Sequence, residues 1–435
     1  MRHKKHSVCG RKRMTKWPTD GVAHDAERYI RFVLPAVFFF LSFVAGRAAV
    51  SVGTARYERP EDSLRISLLT CSPGTRVYEL YGHTALRVRK MGEPEQDWAF
   101  NYGMFSFDRP NFVWRFVKGE TDYQLGVMPY AYFLLEYEER GSYVVEQELN
   151  LTPDEKGRLY GLLRENLRPE NREYRYNFLY NNCTTRARDV IAACLDGTLR
   201  YPEVPQKSFR TIIHEYTQGF PWDAFGQDLL LGSEADRPRN GFEQMFAPFY
   251  YSKALDRTVV VGRDGTERPL VKRRSFALPE TAGNRCPGKT VPFTPLMASV
   301  LLLVITCLVG WVELRRNKTC WWYDLFLFGM QGVVGCVVAL LFFVSEHPAV
   351  GSNWLIIVFN PLVLGYLPFM IRHSVRNERD PYHVVASAVL MIFIISIPLI
   401  PQKIPSAIVV LALILWSRSI TKLYIAYRKH QIQKV

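Results

Sequence analysis

Residues 292–318 read PFTPLMASVLLLVITCLVGWVELRRNK. The apolar part is long enough for the ~20 residues a bilayer-crossing helix needs, and it closes on Arg315, Arg316 and Lys318. Four more runs of this kind come after it, at 323–345, 353–371, 383–400 and 404–424. A purely soluble protein is excluded. The intervening loops alternate in charge. Arg372, Arg376 and Arg379 occupy one, and Arg418, Lys422, Arg428, Lys429 and Lys434 mark the tail. Glu346–Ser352 has no Lys or Arg, and Pro401–Pro405 has only Lys403. Basic loops stay on the cytoplasmic side, so the C-terminus is expected there. Five spans then put residue 291 on the opposite side.

Composition taken over the whole chain hides this. Of 435 residues, 48% are hydrophobic and 22% charged, as in an ordinary soluble protein. An aromatic share of 14% excludes a disordered chain. The net charge of +14 does not argue for nucleic acid, because the basic residues gather in the first 31 positions and beside the apolar runs. A basic segment precedes Phe32–Gly46, an apolar stretch of signal-peptide length, and Gly46-Arg47-Ala48 resembles a cleavage site. An uncleaved anchor is the alternative; either one exports residues 51–290. The expected organisation is therefore residues 1–50 as basic region and signal or anchor, 51–255 as an exported α+β domain, 256–290 as linker, and 291–435 as an all-α membrane domain of five helices.

Of eight cysteines, Cys71, Cys183, Cys194 and Cys286 fall in the exported part, with His83 and His214 as its two histidines. No CxxC or regular spacing supports zinc or a dense disulfide framework, and no cofactor is expected. Cys71–Cys286 is a conceivable pair that nothing selects.

Arg65–Thr70 reads as a strand, and Gly82–Arg89 with Asp97–Tyr102 as a hairpin around Met91-Gly92-Glu93-Pro94. Pairing residues whose numbers sum to 184 puts Leu86 opposite Trp98, Thr84 opposite Phe100 and His83 opposite Asn101, with one apolar face. Thr152-Pro153-Asp154-Glu155 predicts a capped helix start. Asn182-Cys183-Thr184-Thr185-Arg186 predicts a second, with Asn182 as N-cap. Ala187, Val190, Ile191, Cys194 and Leu195 then keep helical spacing on one buried face that Cys183 shares. A thiol in a first helical turn meets free N–H groups and the positive dipole end, which favour its thiolate.

The candidate chemistry is Cys183 as nucleophile, His83 as base and Asn101 as the group orienting the imidazole. The plainer reading makes Cys183 a small core residue and His83 a satisfied strand-end histidine. Cys71 is a rival nucleophile without a helix N-terminus. Cys194 reads as core and His214 as structural. The aromatics of Phe100–Phe116 are core of a sheet on the commoner reading, and otherwise an acyl groove or a surface resting on lipid. Asp108, Tyr102, Phe105, Asn182 and Arg186 are the candidates for substrate contact. Asn360-Pro361 breaks a span with a polar group, and Glu346 and His347 sit at the outer mouth.

A histidine strand followed by a cysteine that opens a helix resembles the circularly permuted papain-like arrangement of NlpC-type and lecithin–retinol acyltransferase-like enzymes. Leu68-Leu69-Thr70-Cys71-Ser72-Pro73-Gly74, Tyr81-Gly82-His83-Thr84-Ala85-Leu86-Arg87-Val88, Phe100-Asn101-Tyr102-Gly103, Glu148-Leu149-Asn150-Leu151-Thr152 and Asn182-Cys183-Thr184-Thr185-Arg186 resemble the Lnb family, the lipoprotein N-acyltransferases of Bacteroidota. Ser345-Glu346-His347-Pro348 and Asn360-Pro361-Leu362 are similar to that family's membrane part. The resemblance implies a multi-pass inner-membrane enzyme with its catalytic domain in the periplasm. It implies transfer of an acyl chain from a phospholipid, through a Cys thioester, to the α-amine of a lipoprotein's lipidated N-terminal cysteine. Partners would be membrane lipid, donor phospholipid and acceptor lipoprotein. A cysteine amidase or peptidase acting on cell-wall peptide is the alternative, since the same dyad serves both.

Overall fold

The structure, a computed structural model, describes residues 63–105, 110–281 and 292–432. The N-terminal basic segment and apolar run, Asp108 and Cys286 lie outside the described residues. The chain runs β1 (Leu64–Cys71), β2 (His83–Lys90), β3 (Asp97–Met104), α1 (Phe112–Lys118), β4 (Asp122–Pro129), α2 (Tyr130–Glu139), β5 (Val144–Leu149), α3 (Pro153–Asn166), α4 (Pro169–Arg172) and β6 (Glu173–Arg175). It continues through α5 (Cys183–Cys194), β7 (Gly197–Arg200), β8 (Lys207–Ser208), α6 (Phe209–Tyr216), α7 (Pro221–Leu230), β9 (Pro238–Arg239), α8 (Gly241–Gln244) and α9 (Pro248–Leu255). Strands β10 (Val259–Gly262), β11 (Glu267–Pro269) and β12 (Val271–Leu278) close this part. The helical part comprises α10 (Pro295–Arg316), α11 (Trp321–Phe343), α12 (Val363–Arg376), α13 (Pro381–Ser396) and α14 (Ser406–Ile432).

Seven strands form one antiparallel sheet in the order β12-β5-β1-β2-β3-β4-β6. Both faces are covered, which is why the central strand LRISLLTC is buried from Ile66 onward on consecutive rather than alternate residues. Ile66, Leu68, Leu86, Val88 and Phe100 pack on one side against α3, α5 and α9. Leu69, Ala85, Ala99 and Val144 pack on the other against Phe133 and Tyr137 of α2. The Thr152 capping box forms as its sequence requires, with Glu155 reaching back to the Thr152 N–H.

The hairpin register differs from the expected one by two residues. Leu86 pairs with Phe100, Arg87 with Ala99 and Val88 with Trp98. The faces survive, because a shift of two preserves the period of a strand. The cause is the turn. The chain bends at Lys90–Glu93 and again at Glu93–Gln96, where the Gln96 N–H bonds the Glu93 carbonyl and Pro94 holds the second turn position. The apex therefore lies one residue further along than Met91–Pro94 suggests.

The stretch expected as linker, 256–290, is folded over 259–278. There β12 forms the edge of the main sheet beside β5, while β10 and β11 join β7 in a small sheet. Its charges belong to an edge strand: Lys272 and Arg273 pair with Glu148, and Arg274 with Asp256.

Among the described residues, four helices are long and apolar enough to cross a membrane: α10, α11, α13 with its short continuation to Leu399, and α14. The expected third span, 353–371, is not one helix. It enters as a short 3₁₀ turn at Trp354–Ile356, passes through non-helical Asn360-Pro361 and becomes the 14-residue α12. Pro361 cannot continue a helical ladder. Irregular backbone at this depth needs partners within the protein; the Gln331 amide donates to the Val358 carbonyl at 2.8 Å and Asn360 accepts from the Leu362 N–H at 3.0 Å. Gly335 admits the break, since a Cβ there would lie 2.5 Å from the Phe359 carbonyl oxygen. The segment still traverses the bundle. Asn353 bonds the Leu229 carbonyl at one end, and the Ser374 hydroxyl donates to Asp324 at the other.

Arg418 and Lys422 are not part of an exposed tail. They lie inside α14, where Arg418 is fully buried between Glu313 at 2.5 Å and Asp324 at 2.5 Å. Lys422 completes the group, 3.1 Å from Glu313 and 2.6 Å from Asp324. Two acids and two bases thus cancel within the helical bundle.

Candidate active site

Asn182 sets the start of α5. Its Oδ1 accepts from the Thr184 and Thr185 N–H groups at 2.8 and 2.9 Å, and its Nδ2 donates to the Phe178 and Phe246 carbonyls. Both amide hydrogens and the oxygen are engaged, so Asn182 positions the helix and has no donor left for a substrate. Cys183 comes next as the first helical residue, partly exposed. The Thr84 and Thr184 hydroxyls, 3.0 Å apart, pin this helix end to the start of β2.

His83 is the first residue of β2 and pairs across the sheet with Cys71. Its Nε2 is 3.2 Å from Asn101 Oδ1, a diagonal contact across the corrected register rather than a directly opposed pair. The ring lies parallel to the Tyr137 ring at 6.4 Å, and Cys183 is close enough to His83 to perturb its charge. The Cys183 sulfur is 3.8 Å from the Thr184 hydroxyl. The structure therefore brings Cys183, His83 and Asn101 together from a helix start and two strands.

Burial alone raises the Cys183 pKa; the charge of His83, its hydrogen bond, the Thr84 N–H and the Thr184 hydroxyl outweigh that, and the thiol sits below its ordinary value. Burial opposes a charged His83, but the Cys183 thiolate and the bonds to Cys183 and Asn101 raise its pKa. The two shifts favour a thiolate–imidazolium pair. Cys71 goes the other way: burial pushes its thiol well up, against a bond to the Tyr137 hydroxyl. Cys194, buried in the core, is pushed up to about 12.

The remaining candidates separate. Tyr102 is a core residue, 2% exposed, its hydroxyl accepting from Asn166 at 2.7 Å; it does not present itself to a substrate. The pleat explains this, because Tyr102 shares the Phe100 face rather than that of Asn101. Arg186 lies 4.3 Å over the Tyr174 ring and donates to Asn181. Phe105 is exposed and stacks on Tyr123 at 4.9 Å, which stacks on Tyr176 at 4.3 Å. Tyr176 and the Cys183 Cβ both border Gly103, where an added Cβ would lie 3.8 and 3.7 Å from them. Gly103 holds φ +89°, a left-handed conformation that favours glycine. His214 pairs with Asp228 at 3.0 Å, apart from this group.

Three participants carry little sequence signal: Tyr137, the Thr84 N–H and Tyr176. Asn101 has a further property, since its Nδ2 is buried without a partner among the described residues. No group of His, Cys, Asp and Glu able to hold a metal occurs among the described residues.

Two family models match the chain: the Lnb N-terminal periplasmic domain over residues 54–215, and the Lnb transmembrane domain over residues 288–430. No curated protein and no solved structure matches it.

Proposed function

The chain belongs to the Lnb family, and from that premise we propose that it is a lipoprotein N-acyltransferase of the inner membrane, with its catalytic domain in the periplasm. The observation that carries the reading is the placement of Cys183 at the start of α5, pinned through Thr184 to Thr84 beside the His83–Asn101 pair; the lowered thiol and raised imidazole agree with it. The order of parts, histidine strand before cysteine helix, supports a permuted papain-like ancestry for the site.

In the first half-reaction the Cys183 thiolate attacks the carbonyl carbon of a phospholipid ester. The carbon–oxygen bond breaks, the leaving alkoxide takes the His83 proton, and a lysophospholipid departs from the thioester. In the second, the α-amine of the lipidated cysteine attacks the thioester carbon. His83 accepts the amine proton, the carbon–sulfur bond breaks, and the thiolate returns. Asn101 holds the imidazole through Nε2. The helix-start N–H of Cys183 is a donor at hand for the developing oxyanion. An amine defeats water only in a site that excludes water, which suits a pocket beside lipid.

The test is the purified protein with acyl-labelled phospholipid and a lipopeptide bearing a free N-terminal amine. A protein-bound label that hydroxylamine removes, followed by N-acylated peptide, is the expected result. Absence of label together with release of peptide from cell-wall fragments overturns it in favour of an amidase.

A further inference from the structure

Helix α1 (Phe112–Lys118) is short and carries large apolar side chains outward: Trp114 is 51% exposed and Phe116 47%. These two residues stand about 200° apart around a helix, so apolar surface shows on two sides. A flat protein partner covers one side of such an element; a fluid medium surrounds both.

Its height relative to the membrane is fixed by bonds. The Lys118 carbonyl accepts from the Glu346 N–H at 2.8 Å, and the Phe116 carbonyl is 3.1 Å from His347 Nε2. Gly119, with φ +89°, lets the backbone close on this loop: a Cβ there would meet the Glu346 Cβ at 3.2 Å. Glu346 lies two residues beyond Val344, which caps α11. Two residues of chain reach at most ~7 Å, while the interfacial layer beside the hydrocarbon core is ~5–8 Å thick on each side. The end of α1 is thereby held at headgroup level. Neighbouring cations suit that level: Arg115 is bonded to Asp122, and Arg175 bridges Asp122 and Glu346 at 3.0 and 3.4 Å.

We propose that α1 is an interfacial wedge, with Trp114 and Phe116 seated among the outer-leaflet lipids beside the end of α11. Insertion of this kind needs an apolar surface, an aromatic ring at the boundary and polar groups reaching the headgroups. Phe105, seven residues before the start of α1, stacks on Tyr123 and Tyr123 on Tyr176, and Tyr176 borders Gly103 together with Cys183. The wedge thus delivers a donor acyl chain at the level of its ester. The seating rests on the membrane spans alone; the delivery rests on the acyl-transfer reading.

The experiment uses the full chain in phospholipid nanodiscs whose acyl chains are brominated near the carbonyl end. The protein has nine tryptophans, so the Trp114 emission is taken as the difference between wild type and Trp114→Phe. Strong quenching of that difference by the bromolipid, with little by aqueous iodide, is expected. Quenching by iodide and not by bromolipid overturns the wedge. In a second measurement, the pair Trp114→Glu and Phe116→Glu inserts normally and loses most acyl labelling from bilayers, yet keeps it with donor dispersed in micelles. Equal labelling in both settings overturns the delivery role. Wild type that is quenched by bromolipid but never labelled leaves the wedge standing and removes the acyl-transfer reading instead.

Discussion

The Cys183–His83 pair and the Glu313–Asp324–Arg418–Lys422 quartet both keep ionisable groups away from bulk water, and they do so in opposite ways. In the quartet every charge meets two opposite ones, and Glu313, Asp324 and Arg418 are fully buried. Ser374 and the Cys320 N–H take further lone pairs. Each of the four charges is thus answered from within the protein. The cysteine site has one pair, partial exposure, and an amide donor on Asn101 without a partner among the described residues. A saturated network fixes helices; an unsaturated one reserves capacity for a substrate. The quartet joins α10, α11 and α14, and through Ser374 also α12, so it staples together the segment that fails to be a full-length helix.

The largest effect that would break this contrast concerns the nucleophile. Cys183→Ser loses at least ~10³-fold in acyl transfer with its thermal unfolding unchanged. His83→Ala is as severe. Cys71→Ser keeps activity, because its thiol is buried and pushed up; the reverse pattern hands the nucleophile role to Cys71. Arg418→Met does the opposite. It leaves two buried carboxylates with one base and destabilises by about 3–5 kcal/mol, read as earlier unfolding in detergent, while each folded molecule keeps its rate. A rate loss in molecules that remain folded would place the quartet in the reaction.

Asn101→Ala sharpens the site side. It costs about 10–100-fold, on the scale of a lost positioning hydrogen bond of ~1.5–3 kcal/mol. The pH profile carries the signature. Wild-type activity falls as pH drops through the lowered Cys183 pKa, where the thiolate is protonated, and falls again as pH rises through the raised His83 pKa, where the imidazolium is lost. Without the Asn101 bond, burial and the remaining partners leave His83 easier to deprotonate, so the alkaline limb moves to lower pH. An unmoved limb assigns Asn101 a purely structural role. Tyr137→Phe is the smallest change: the ring parallel to His83 stays, the bond to Cys71 goes, and stability drops by no more than ~1.5 kcal/mol with near-normal turnover.

What the sequence made legible were features written in local pattern. The Asn182 cap and the spacing behind it located Cys183 at a helix start, and the strand alternation put His83 on the face of Asn101. The register missed by two because turn geometry, not alternation, sets it. Tyr102 follows Asn101 in the chain, but neighbours on a strand face opposite ways, so it falls in the core. Residues 259–278 passed for a linker because an edge strand is charged for reasons of solubility. The quartet was invisible, since Glu313, Arg418 and Lys422 look like ordinary charges flanking a span until three helices meet. Tyr137 arrives at His83 from a helix on the far face, a contact no spacing announces.

The position of β12 bears on how the protein is made. A chain emerging from its N-terminus delivers β1 to β5 early, but β5 keeps a bare edge until Val271–Leu278 arrives, shortly before Pro295 opens the first membrane helix. An unpaired edge is a template for association with other chains. Completion of the sheet is therefore timed to the moment when α10 begins to enter the bilayer. A release of the soluble part by cutting after Leu255 removes that last strand, and aggregation of the fragment, rather than a clean catalytic domain, is the outcome of such a cut.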